Sequence, residues 1–71
     1  MDLATLKVGV TACIKEITGM DSLAHQLQEI GFTPGSEVAV MSRSPFDGPM
    51  AVSLRGARIA LRPSEARRIR L

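Results

Sequence analysis

Residues 30–40 read IGFTPGSEVAV. Within this stretch the chain ends a helix, turns and starts a strand. Ile30 closes a helical period, because Leu23, Leu27 and Ile30 recur at intervals of four and three and form one stripe. Gly31 stands where a helix end favours a left-handed residue, a conformation that costs glycine little. Pro34 cannot continue a helix. With Gly35 it predicts a turn in which proline sets φ at the second position and glycine takes positive φ at the third. From Glu37 the period becomes two, with Val38 and Val40 on one face and Ala39 and Met41 on the other.

Upstream, Asp21 or Ser22 is placed to accept a hydrogen bond from first-turn amides that a helix start leaves unpaired. Before that, DLATL at 2–6 predicts a short helical turn, which Gly9 ends. Val10 to Ile17, VTACIKEI, reads as a single strand. Val10, Ala12 and Ile14 share one face, and Cys13, Lys15 and Ile17 the other, so Ile17 falls opposite Ile14. That conflict calls for a bulge or a two-sided environment.

Downstream, SRSPFDGPM at 42–50 is a turn cluster, long for a hairpin. MAVSLR follows at 50–55, with Met50, Val52 and Leu54 on one side. Gly56 permits a bend. ARIALR at 57–62 alternates Ala57, Ile59 and Leu61 against Arg58, Ala60 and Arg62, an apolar-in, basic-out strand. Pro63 to Ala66 suits one helical turn, and RRIRL makes a last strand with Ile69 and Leu71 inward. The expectation is a mostly-β SH3-like barrel of about five strands, with one short helix after the first strand and a helical turn before the last. An OB-type barrel has a compatible pattern.

A chain of 71 residues predicts one domain spanning 1–71, and 45 % hydrophobic residues make it a folding sequence. The lone Cys13 allows no internal disulfide. No apolar run approaches the roughly 18–20 residues of a membrane span, and the first ten residues lack the basic-then-apolar order of a signal peptide. A soluble protein of a reducing cytoplasm is expected. The net charge is only +2, yet six of the nine basic residues are Arg55, Arg58, Arg62, Arg67, Arg68 and Arg70, opposed in that quarter by Glu65 alone. They read either as a polyanion footprint or as the solvated faces of the last strands. The absence of Trp and Tyr favours the second reading, since single-strand binders stack bases on aromatic side chains. It also removes the aromatic groove on which proline-rich ligands dock.

Three pieces of the sequence resemble FeoA, the small ferrous iron transport protein A: LKVG at 6–9, IGFTPGSEVAV at 30–40 with its preceding leucines, and RGARIALRPSEARRI at 55–69. The resemblance covers essentially the whole chain. It implies an SH3-like fold and a cytoplasmic accessory of FeoB, the membrane GTPase that imports Fe(II) into bacteria. Such an accessory is held peripherally at the inner membrane through its partner. FeoA-like domains also occur at the end of some metal-dependent repressors. The chain departs from the family at Gln26, where a basic residue often precedes the leucine at 27; a weaker or different partner contact is the consequence if that charge matters. Lacking a long apolar segment, the chain reads as the stand-alone accessory, with the helix and neighbouring loops as its adapter surface.

The residues themselves offer little chemistry. Cys13 and His25 are the only soft ligands apart from methionines, and zinc sites use three or four. Cys13 reads as a small strand residue and His25 as the flank of the helix. Asp21, Glu29 and Glu65 form no evident acid–base set with His25, and no nucleotide-binding G-x-x-x-x-G-K-[ST] loop exists. No enzyme activity, cofactor or bound metal is expected. Arg43 is the positional candidate for an arginine acting in trans on a GTPase. Met20, Phe46 and Met50 lie in or beside loops, where large apolar groups are unexpected unless buried or used for recognition. With Leu23 and Arg43 they are the candidate partner-binding residues. Two other classes stay open: a small basic barrel that binds nucleic acid, and a self-associating module that forms homo-oligomers.

Overall fold

In the computed structural model, which describes residues 1–71, the 33–36 turn is the pivot of the chain. Gly35 has φ +90°, and the Ser36 amide donates to the Thr33 carbonyl at 3.1 Å, as the Pro-Gly pair predicts. The helix before it, α1, runs Ser22–Ile30 and is capped by Asp21, whose side chain accepts from the Ala24 amide at 3.2 Å. It ends at Gly31, φ +126°, and the Phe32 amide reaches back to the Leu27 carbonyl at 3.1 Å. The Gly31 amide is shared between the Leu27 and Gln28 carbonyls at 3.3 and 3.1 Å, so the Gln28 carbonyl, which the helix end would leave unpaired, also gains a donor.

Six strands form, not five: β1 Thr11–Cys13, β2 Glu16–Ile17, β3 Glu37–Arg43, β4 Met50–Leu54, β5 Ala57–Leu61 and β6 Ile69–Arg70. Four make an antiparallel sheet in the order β1-β3-β4-β5, and β2 pairs with β6 in a second sheet. The extra strand comes from the segment expected to be continuous from Val10 to Ile17. At Ile14 the chain changes partners. Its amide donates to the Ser36 carbonyl and its carbonyl accepts from Gly35, whereas the Lys15 amide donates to Arg70. The chain thus passes from one sheet to the other at a corner, and the inward direction is reset. That is why Ile14 and Ile17 both reach the core from opposite parities.

A 3-10 turn at Leu3–Thr5 and a short helix, α2, at Pro63–Ala66 complete the element order. The core joins Leu3, Ile14, Leu27, Phe32, Val38, Val40, Val52, Leu54, Leu61 and Ile69. Val38, Val40, Met50, Val52 and Leu54 all face inward as their alternation predicts. Between Val40 and Ser42 the β3–β4 register shifts by a bulge, which leaves Met41 exposed. The helix stripe needs correction. Ala24 and Leu27 are buried and Leu23 is half-buried, but Ile30 is 52 % exposed. Ile30 falls on the flank of the face set by Ala24, Leu27 and Gly31, where a Cβ at Gly31 would already meet Leu54 Cδ2 at 3.4 Å, so its side chain turns away from the sheet.

Candidate functional site

The β3–β4 loop presents an aromatic to solvent at a cost in backbone energy. Phe46 and Asp47 have φ +58° and +57°, and the Gly48 amide closes the turn on the Pro45 carbonyl at 3.1 Å. Two successive positive φ values are the signature of a primed turn, where Asn-Gly is the usual pair. A side chain with a Cβ is disfavoured there by about 1–2 kcal/mol per residue. Phe46 is nonetheless fully exposed, so no burial in this chain offsets the strain.

Arg43 lies at the end of β3, but its guanidinium is not free. Nη2 donates to the Leu6 carbonyl, and Nη1 lies 3.9 Å from Met50 Sδ. The residue ties the base of the loop to the 3-10 turn, which weakens its candidacy as a group reaching into a partner. Beside it is an open cleft of about 260 Å³ lined by Asp2, Thr5, Ser44, Asp47 and Arg67 among others. One carboxylate oxygen of Asp2 is buried there without a hydrogen-bond partner. Arg62 joins Asp47 and Arg67 along a neighbouring shallow groove.

At the other candidate surface, Met20 is fully exposed just before α1. The junction is held by Arg68, whose two Nη atoms grip the Asp21 carboxylate at 2.9 and 2.8 Å while Nη1 also reaches the Thr18 carbonyl at 3.2 Å. Gly19 lets the guanidinium pass, because a Cβ at that position would collide with Nη1. The Arg68 hydrogen bonds, helped by the Ala24 amide, hold the Asp21 carboxyl well below the usual carboxylate range, and Asp21 in turn raises Arg68. Nothing in the sequence signals this pair, whose members lie 47 positions apart.

The five candidate partner-binding residues therefore separate. Met20 and Phe46 are exposed, Leu23 is half-buried against the core, and Arg43 is engaged with backbone. Met50 is 2 % exposed and faces the core, so it is corrected from a loop-side contact to a core residue. As the first inward position of β4, it had to point in. No cleft is lined by both Met20 and Phe46. Cys13 is exposed on β1, and exposed His25 pairs with Glu29 at 2.8 Å along α1. No three His, Cys, Asp or Glu side chains converge in a metal-binding set, and no helix is long and apolar enough to cross a membrane.

Two small sheets sharing a bent strand, with open polar clefts on the surface, define the class as a small SH3-like barrel. The chain belongs to the FeoA family, whose domain model matches residues 1–71, a family of small accessory domains related to ferrous iron transport. It is similar to FeoA of Stenotrophomonas maltophilia, a prokaryotic SH3-domain protein crystallised with zinc. The identity is 33 %, the TM-score 0.86, and the match covers 97 % of this chain and 86 % of that one. It is likewise similar to iron(II) transport protein A of Clostridium thermocellum, at 33 % identity and TM-score 0.90, over 97 % of this chain and 43 % of the other. A manganese-dependent transcriptional repressor contains a similar unit, at 25 % identity and TM-score 0.86, over 97 % of this chain and 34 % of the repressor. Comparison with curated proteins gave no significant match.

Proposed function

We propose that this chain is a single-domain, non-enzymatic accessory of ferrous iron uptake that binds the membrane GTPase FeoB from the cytoplasmic side and modulates it by protein contact. The iron is the transporter's cargo, and no ligand set on this chain is needed to hold it. The observation that carries the reading is Phe46, a solvent-exposed aromatic held at the tip of a strained turn. Aromatic side chains that are idle in the free protein and fit a partner's pocket are typical binding hot spots. Met20, before α1, supplies an adaptable second contact. The names of the Stenotrophomonas and Clostridium relatives, which tie them to ferrous iron transport, support the same direction.

The test is a titration of the purified chain into nanodiscs carrying the FeoB of the same organism, following binding and GTP hydrolysis together with and without Fe(II). Saturable binding that changes the hydrolysis rate is the expected result. Absence of binding to both nucleotide-loaded and nucleotide-free transporter would overturn it.

A further inference from the structure

The outer edge of β5 is an open backbone ladder. The β4–β5 hairpin has a two-residue loop, Arg55-Gly56, with φ +52° and +81°, and Leu54 pairs with Ala57 to close it. The closing pair of such a hairpin exchanges both hydrogen bonds, and every second pair after it does the same. Ile59 and Leu61 therefore bond to β4, whereas the N–H and C=O groups of Arg58 and Ala60 point away from the sheet. No turn, loop or terminal segment of this chain hydrogen-bonds to residues 57–61 from that side. The opposite edge, β1, has three residues and bends at once into the second sheet.

The side chains around this edge are cationic and unpaired. Arg58, Ala60 and Arg62 are exposed on the outer face, and neither arginine has a carboxylate partner, since the only ion pairs are His25–Glu29 and Arg68–Asp21. A second copy of this chain fits the edge poorly. Antiparallel self-pairing centred on Arg58 sets that residue opposite itself. Centred on Ala60, it sets Arg58 opposite Arg62. Centred on Ile59, it leaves the two Arg58 side chains diagonal neighbours. Like charges opposite one another in a sheet are destabilising. Opposite charges are not, and main-chain pairing at an open edge is an established mode of peptide capture.

We propose that the outer edge of β5 receives an extended acidic segment of a partner protein, which adds a strand to the sheet through the amides and carbonyls of Arg58 and Ala60. Its carboxylates lie four residues apart, opposite Arg58 and Arg62, with a small residue between them facing Ala60. Arg62 contributes charge only, because its amide is already donated to Glu65 Oε1 at 2.8 Å. This surface adjoins the Phe46 loop at one end, where Arg62 shares a groove with Asp47, and gives the adapter a second, sequence-tolerant contact. It rests on the adapter reading for its place in iron uptake but not for its chemistry.

The experiment omits the transporter, so its failure is distinguishable from failure of the FeoB reading. A random dodecapeptide display library is selected against the parent chain, and the enriched peptides are titrated while amide exchange is followed by NMR. The expected result is enrichment of Asp or Glu at positions four apart and at least tenfold slower exchange at Arg58 and Ala60. Arg58→Glu should weaken the selected peptides tenfold or more. Ala60→Pro should do so as well, since it removes an outward N–H without touching the β4 ladder, a place where edge strands tolerate proline. Either variant, if folded, is sufficient. No enrichment, enrichment without acidic residues, or protection that leaves Arg58 and Ala60 unchanged would overturn the proposal and leave the arginines as guards against edge-to-edge aggregation.

Discussion

Replacing Phe46 with glycine should make the free protein more stable and its partner complex weaker. The side chain is fully exposed, so its removal forfeits no burial. The backbone at φ +58° favours glycine over a residue with a Cβ by about 1–2 kcal/mol. Glycine's greater freedom in the unfolded chain takes back about 0.4–1 kcal/mol, leaving a net gain of about 0.8 kcal/mol at the middle of both ranges. For a domain of this size that is a Tm rise of roughly 2–8 °C. Phe46→Ala keeps the strain and should stay within about 0.5 kcal/mol of the parent. Both variants lose the ring, and loss of a hot-spot aromatic weakens binding by about 2 kcal/mol or more, roughly thirtyfold in Kd. Urea and thermal unfolding of the three proteins give the stability order, and titration into FeoB nanodiscs gives the affinities. A glycine variant that is less stable than the alanine variant would refute the strain assignment. Parent-like affinity in both variants would refute the anchor.

Two further predictions test the fold around α1. Asp21→Asn keeps an acceptor for the Ala24 amide but loses the charge held by Arg68. Because that carboxyl titrates lower in the folded chain than in the unfolded one, its contribution is present in full above the ordinary carboxylate pKa near 4 and is lost as pH falls through the depressed folded value. The stability gap between parent and variant should therefore be constant at neutral pH and shrink on acidification, as read by urea midpoints across pH; a gap independent of pH down to strong acid would contradict the pairing. Leu27→Ala should cost about 2–5 kcal/mol, enough to unfold much of a small domain, whereas Ile30→Ala should cost under about 1 kcal/mol. Comparable losses in chemical denaturation would mean that Ile30 is covered after all.

Local sequence was sufficient wherever a residue's conformation is decided by its near neighbours. Asp21, Gly31 and the Pro34-Gly35 pair set the helix ends and the turn, since capping and positive φ act over three or four residues. Period-two alternation was sufficient for β3 and β4, because each strand has one face on the core. It misread Val10 to Ile17, because alternation assumes one sheet and one inward direction, and this segment serves two. Ile30 was misplaced for a related reason: a helical stripe is wide, and which flank of it meets the core is set by tertiary packing, here the side of Ala24 and Leu27. Met50 was read by its nearness to a turn cluster, although the strand parity that buries it was already legible in Val52 and Leu54. The Asp21–Arg68 pair, the engagement of Arg43 with Leu6 and the open edge of β5 were decided only by tertiary structure. Each depends on which distant segments meet, or fail to meet, and hydrogen bonds between segments far apart in the chain leave no periodic mark on it.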